Sequence, residues 1–176
     1  MPDFDRVPKQ SPSLKARALR LLSRREYSRH ELAQKLQRLG SQTDNNPPVD
    51  FEEQITAILD DFEAKGWLSD ERYAQALVRR RSQRYGLRRV ADELQRAGID
   101  QNMISSLSHE LSSSEFERAQ ALWARKFGEI SSDQKERAKQ YRFLVSKGFN
   151  PELVNRLISG RTPQNSQFGA VKMLDL

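Results

Sequence analysis

The residues best suited to chemistry in this chain are arginines. Six of them, Arg79, Arg80, Arg81, Arg84, Arg88 and Arg89, fall within eleven positions that contain no acid. A guanidinium presents five donors in a planar fork and stays charged at any ordinary pH. Such a cluster therefore suits contact with phosphate or carboxylate rather than proton transfer. Cations near a helix C-terminus also complement the helix dipole, which gives part of the run a structural reason. Arg81 continues the apolar track of Ala74, Leu77 and Val78, where its stem can lie against a core. Six arginines without an acid exceed what helix ends require, and phosphate contact is the leading reading. Weaker basic groups stand at Arg24, Arg25 and Arg29, and at Lys135, Arg137, Lys139 and Arg142, where Glu136 dilutes them. Between Asp50 and Glu71 the sign reverses: eight acids share the stretch with one basic residue, Lys65.

Catalytic constellations are hard to assemble. The two histidines, His30 and His109, lie far apart in sequence, and no Gly-rich phosphate loop is present. Cysteine is absent, which excludes disulfides and thiolate metal sites. Asp60 and Asp61 could hold a cation, but an exposed helix face explains the pair more simply. No catalytic, cofactor-binding or metal-binding residue is expected.

The bulk properties agree with a binding protein. The 176 residues are 36% hydrophobic, with 30 basic against 24 acidic side chains and a net charge of +6. That excess is too modest to imply a polyanion partner without the local clustering. No apolar run approaches the roughly 18 residues of a membrane span, and the N-terminus lacks a signal-peptide pattern. A cytoplasmic protein with no membrane partner is expected.

The elements that must position the arginines are helices. Apolar residues recur at helical spacing throughout, and Gly and Pro are sparse inside the periodic segments. The spacing predicts helices over 13–26, 28–39, 50–65, 69–85, 87–97, 100–111, 114–127, 133–147 and 150–159. Capping-box spacings occur at Ser28/Glu31, Asp50/Glu53, Ser114/Glu117 and Asp133/Glu136, and Asn150-Pro151 sets a cap before a first-turn proline. A thirteen-residue phrase repeats: SRHELAQKLQRLG from Ser28, GLRRVADELQRAG from Gly86 and, more weakly, ERAKQYRFLVSKG from Glu136. It aligns Leu36, Leu94 and Leu144, and it ends on Gly40, Gly98 and Gly148, where a left-handed residue would close a helix. Ile99-Asp100, Phe149-Asn150 and, after an insertion, Val49-Asp50 follow. The dipeptides Ala18-Leu19, Ala76-Leu77 and Ala121-Leu122 open the pattern.

A period of roughly fifty residues indicates stacked supersecondary units. The reading is all-α: an elongated array of three tandem three-helix repeats with helix-turn-helix-like units. Repeat 1 spans 13–68, repeat 2 spans 69–112 and repeat 3 spans 113–160, between tails at 1–12 and 161–176. A helix-turn-helix reader needs polar side chains that reach base edges, and Gln101, Asn102, Ser105 and His109 offer them on one helix. The acidic helix over 51–65 would be repelled from a groove. Trp67 and Trp123 could stack on single strands, but core packing is the simpler role for both.

Three blocks are more specific. The junction GWLSDERYA, Gly66 to Ala74, resembles the signature joining the first two repeats of the RecX family. YGLRRVADELQRAGI, Tyr85 to Ile99, resembles the next block. KFG at Lys126 with KERAKQYRFLVSKGF from Lys135 to Phe149 resembles the third. The resemblance covers about 14–158 and leaves the segment after Gly160 without a counterpart. It implies a non-enzymatic, cytoplasmic regulator of the RecA recombinase. Such a regulator binds the RecA–DNA filament and inhibits its recombinase, ATPase and co-protease activities, modulating DNA repair and the SOS response. The expected partners are the RecA filament and, by weaker electrostatic contact, single- and double-stranded DNA, engaged by a monomer. The residues alone also admit a helix-turn-helix transcription factor.

An elongated array makes a scattering prediction. A compact globule of this length has a radius of gyration of about 16 Å. Small-angle scattering is expected to give a clearly larger value, and a compact spherical profile would contradict the array.

Overall fold

The structure, a computed structural model, describes residues 12–43 and 50–160. Val49, the middle of the inserted loop and all but Pro12 of the two expected tails lie outside these residues. Among the described residues there are nine helices and no strand, as the periodicity predicts. They are α1 (Leu14–Leu22), α2 (Arg29–Thr43), α3 (Phe51–Ala64), α4 (Asp70–Arg81), α5 (Leu87–Arg96), α6 (Gln101–Ser113), α7 (Glu115–Phe127), α8 (Gln134–Ser146) and α9 (Pro151–Ile158). The chain divides into two compact units, Met1–Tyr73 and Ala74–Leu176, with the division inside α4.

In the first unit α1 and α3 both pack on α2. Their facing side chains, Ala18, Leu32, Leu36, Ile55, Leu59 and Phe62, form one core with Leu68. In the second unit α5 packs on α6, α6 meets α7, and α7 packs on α8 and α9, which also pair. Phe116, Ala119, Leu122, Trp123, Leu144, Phe149 and the apolar face of α9 form the core of its C-terminal half. Val90, Leu94, Ile99 and Ile104 are buried in its N-terminal half. The repeated leucines Leu36, Leu94 and Leu144 are all essentially inaccessible.

The alanine alignment shifts. Ala18, Ala74 and Ala119 are each fully buried, and Leu77 and Leu122 follow the last two by three positions. The recurring signal is thus Ala-x-x-Leu at one-turn spacing, not the Ala-Leu dipeptide. Leu19 is 39% exposed, because a residue next to a buried one on a helix points about 100° away from it.

Helix starts divide into two kinds. Ser28 Oγ accepts from the Glu31 amide at 3.0 Å and Asp133 Oδ2 from the Glu136 amide at 3.2 Å. Asn150 Oδ1 accepts from Glu152 and Leu153. The caps expected at Asp50 and Ser114 do not form. Both residues have ψ close to zero, at 13° and 8°, so their side chains do not reach forward to the free amides. Asp50 instead accepts from the Gln54 side chain at 2.9 Å, and Ser114 Oγ turns back to the Leu111 carbonyl.

The three repeat glycines also divide. Gly98 and Gly148 adopt φ of 75° and 89° and close Schellman turns, with Ile99 N–H on the Leu94 carbonyl and Phe149 N–H on that of Leu144. Gly40 does not terminate its helix; α2 continues through it to Thr43. Its constraint is contact, since a Cβ there would enter the Phe51 ring. The same sequence position is therefore glycine for backbone conformation in two repeats and for close packing in the other.

A fourth glycine couples the second and third repeats. Gly86, at φ −74°, needs no left-handed conformation, but a Cβ there would strike the backbone of Gly148 and Phe149. Gly86 N–H donates to the Lys147 carbonyl at 3.0 Å and Arg88 N–H to that of Gly148 at 3.3 Å. Gly86→Ala is expected to destabilise the second unit by about 1–3 kcal/mol, the cost of overpacking a tight contact. Gly66→Ala, whose Cβ meets open space at φ 69°, should cost about 1–2 kcal/mol through its backbone alone. Urea melts of the two variants check the ranking, and an unchanged Gly86→Ala midpoint would contradict the contact argument.

Candidate functional site

The arginine run straddles the turn between α4 and α5. A helix start leaves unpaired amides and a helix end leaves unpaired carbonyls, so this turn must find partners for both. The first amide of α5, on Leu87, donates to Glu115 Oε1 at 2.9 Å. Glu115 is the first residue of α7 and is buried. Two carbonyls just beyond α4 and one of α6 find Arg118. Its guanidinium donates to Ser82 O at 2.9 Å, Tyr85 O at 3.1 Å and Leu111 O at 2.9 Å. Burial holds the Arg118 pKa below the usual guanidinium value, against the opposing pull of Glu115 and Glu117.

The first unit repeats half of this device. Arg29, the first residue of α2, donates its amide to Asp70 Oδ1 at 2.7 Å, and Asp70 is the first residue of α4. An acid opening one repeat thus caps the second helix of the repeat before it. Arg72 and Tyr73 extend the joint, to Glu26 at 3.1 Å and Glu31 at 2.9 Å. The sequence reading missed Asp70, Glu115 and Arg118 in these roles. Their signal was present: each acid precedes by four positions the fully buried alanine of its repeat, Ala74 or Ala119.

The predicted arginines part into two sets. Arg81 and Arg89 are held within the fold. Arg81 Nε lies 2.7 Å from Glu93 Oε2 and Arg89 Nε 3.9 Å from Glu93 Oε1. Both guanidinium groups also sit over the Tyr85 ring, at 5.4 and 4.4 Å from its centroid. The run is free of acids along the chain but not in space, because α5 brings Glu93 back across the turn. Arg79, Arg80, Arg84 and Arg88 are exposed. Among the described residues none of these four has a carboxylate partner. Arg79, Arg80, Arg81 and Arg84 line one open concavity with Ala76 and Gln83.

The weaker joints are more depleted. Arg25 pairs with Glu31 at 3.0 Å and lies 3.8 Å from the Tyr27 centroid. Arg29 bridges Asp60 at 2.6 Å and Glu63 at 2.5 Å. Arg24 is exposed and borders a groove with Ala16, Arg17, Arg20 and Leu39. Lys135 and Arg142 are exposed on α8, whereas Lys139 pairs with Glu136 at 3.3 Å. Arg137 donates to the carbonyls of Ser131 and Ser132.

The remaining candidates resolve similarly. Asp61 is bound by Lys15 at 2.8 Å and Lys65 at 2.5 Å, and those hydrogen bonds hold its pKa below the usual carboxylate value. With Asp60 taken by Arg29, the pair is part of an ion network rather than a cation site. Trp123 is core, 8% exposed, and donates to Gln140 Oε1 at 3.0 Å. Trp67 is not core: it is 46% exposed, tilted against Phe62 at 5.5 Å. It follows a left-handed glycine that turns it off the apolar face. Gln101, Asn102, Ser105 and His109 stay exposed on α6. No helix of the described residues is long and apolar enough to cross a membrane.

Fold and joints together define a class, an all-α protein of tandem three-helix repeats in which each joint gathers cations. Family models for the first, second and third three-helix domains of RecX match residues 15–41, 69–106 and 113–158. Among relatives, regulatory protein RecX of Ralstonia nicotianae is 42% identical over 154 residues, 88% of this chain and 91% of that protein. Regulatory protein RecX of Herminiimonas arsenicoxydans is 43% identical over 144 residues, 82% and 89% of the two chains. The chain belongs to the RecX family of regulatory proteins. The fold is also that of crystal structures of a regulatory protein RecX and of RecX from Lactobacillus salivarius. Their TM-scores are 0.65 and 0.63, at 20% and 22% identity; each match covers 84% of this chain, and 70% and 94% of the respective structures.

Arg118 tests the joint. Arg118→Met keeps the stem but strands three carbonyls and leaves Glu115 without its neighbouring charge. Hydrogen bonds to charged groups contribute about 1.5–3 kcal/mol each when a partner is removed. A loss of at least about 2 kcal/mol in the second unit is expected from urea denaturation, and a midpoint equal to the wild type would show the carbonyls satisfied by water.

Proposed function

We propose that this protein is a non-enzymatic regulator of the RecA recombinase. It binds the RecA–DNA filament in the cytoplasm as a monomer and inhibits recombinase, ATPase and co-protease activity, modulating DNA repair and the SOS response. The observation that carries this reading is the ordered series of three RecX domains along the chain. The exposed cations supply the physical means. Arg79, Arg80, Arg84 and Arg88 have no carboxylate partner among the described residues, so their charge is available to DNA phosphates or an acidic RecA surface. Lys135, Arg142 and Arg24 are secondary contacts of the same kind. Arg25, Arg81 and Arg89 contribute field while held by Glu31 or Glu93.

A second reading, a helix-turn-helix transcription factor, draws on the exposed polar face of α6 at Gln101, Asn102, Ser105 and His109. The two differ in partner. A filament regulator binds a RecA–single-strand complex far better than bare duplex, whereas a transcription factor shows a large preference for one duplex site.

Titrating the protein into RecA ATPase, strand-exchange and repressor-cleavage assays is expected to inhibit all three at comparable or sub-stoichiometric concentration. Three unchanged activities would refute the proposal. Changing Arg80, Arg84 and Arg88 together to glutamine preserves helix propensity while removing charge. Inhibition should weaken, and the salt dependence of filament binding should become shallower by about 0.7 for each single-strand phosphate that is no longer neutralised. If both match the wild type, these arginines are solvated ornament to the fold and the filament is held at another joint.

A further inference from the structure

The basic surface continues past the arginines into the third repeat. Lys126 Nζ lies 4.0 Å from the centroid of Phe143 and 5.7 Å from that of Phe127. Lys147 Nζ lies 5.5 Å from Phe143 and 5.4 Å from Tyr85. Tyr85 also takes the guanidinium groups of Arg89 and Arg81, and Phe127 meets Phe143 edge to face at 5.4 Å. Cations and rings therefore alternate without a break from α7, through α8 and the turn at Tyr85, to α4 and α5.

A ring and a carboxylate hold a cation differently. A carboxylate cancels its charge; a ring quadrupole attracts the cation and leaves its full charge facing outward. Here one carboxylate, Glu93, serves the whole series. Among the described residues no carboxylate lies within ion-pair distance of Lys126 or Lys147. The rings also restrict these long side chains, so less rotamer freedom remains to be lost when an anion binds. Cations occupy ring faces that would otherwise receive bases, so the surface favours backbone over base contact.

We infer that Lys126 and Lys147, beside the Glu93-held Arg89, form a sequence-independent track for the phosphodiester backbone of nucleic acid. A phosphodiester chain presents one charge per nucleotide, and successive lysines without a carboxylate partner among the described residues are its complement. An acidic protein patch fits less well, because its carboxylates would need the same linear order without a backbone to impose it. This inference deepens the proposed function by assigning DNA as the ligand of the joint between the second and third repeats. It rests on that reading only for its biological setting.

The test uses the full chain and bare labelled oligothymidylate, without RecA, followed by fluorescence anisotropy between roughly 50 and 200 mM salt. Lys126→Gln/Lys147→Gln is expected to bind more weakly, with a log–log salt slope shallower by about 1.4, or about 0.7 for each phosphate released. Each single variant should show about half that change. Lys35→Gln/Arg38→Gln, on an exposed part of α2, removes the same charge and should leave the slope unchanged. A duplex arm distinguishes the sources of phosphate: equal weakening on strand and duplex identifies a general backbone track, and weakening on strands alone identifies single-stranded DNA. Thermal melts confirm that the variants fold. An unchanged slope in the double lysine variant overturns the inference, as does an equal change in the α2 control. So does weakened RecA inhibition with oligonucleotide binding intact, which would place a protein surface on the track. Wild-type protein that binds the oligonucleotide but leaves RecA unaffected would refute the proposed function and spare the track.

Discussion

The interaction on which the architecture depends is the cap that one repeat places on the helix of its predecessor. Asp70 receives the first amide of α2 and Glu115 that of α5. Both helices start behind a short turn, and an amide left unpaired beside a buried core would cost about 1–3 kcal/mol. In both cases the acceptor comes from the repeat that follows. Ser28 already accepts from Glu31, and Gly86 has no side chain to offer. The repeats are therefore incomplete as isolated folds for a specific polar reason, in addition to the small core that each can bury. Gly86 makes the dependence closer still. Its lack of a side chain lets the start of α5 meet the end of α8, and two backbone hydrogen bonds join them.

This constraint also explains why cations gather at the joints. A joint collects helix C-termini with free carbonyls, acids that cap helix N-termini, and aromatic residues at the edge of the core. Each attracts a cation for a different reason. Arg118 is consumed by carbonyls, Arg29 by acids and Arg25 by an acid and a ring together. What remains is a surplus without a carboxylate partner among the described residues: Arg79, Arg80, Arg84 and Arg88 beside the turn, and Lys126 and Lys147, held by rings alone. Exposed ion pairs contribute only about 0–1 kcal/mol, so stability alone gives little reason for that surplus.

The order of the helices was legible in the sequence because helical periodicity and buried leucines are local signals. Leu36, Leu94 and Leu144 mark the same place in every repeat, and all three are buried. Gly98 and Gly148 were legible as helix stops for the same reason. Gly40 was not, because its constraint comes from Phe51, across an insertion. The caps at Asp50 and Ser114 failed because capping depends on the ψ of the capping residue, which the residue type does not determine. The candidate arginine site was half legible. Charge density along the chain located it, but the distinction between used and spare arginines depends on Glu93, which a turn returns from α5. Lys126 and Lys147 fall in the third family-like block, and Phe143 precedes Lys147 by one helical turn, but the sequence does not show that Lys126 reaches Phe143 from α7 or that Lys147 reaches Tyr85.

The exposed cations of the described residues gather where elements meet. In the second unit that place is the joint at Tyr85. Glu93 fixes Arg81 and Arg89 from one side, and the ring is shared by Arg89, Arg81 and Lys147. The same contacts that hold the second repeat against the third thus orient the charges that face solvent. A partner that engages those charges would engage the joint itself, and tightening it would order both repeats together. On the proposed reading, binding a partner and folding would be coupled through one aromatic ring and one carboxylate, and the joint would be the place from which the helical array acts on that partner.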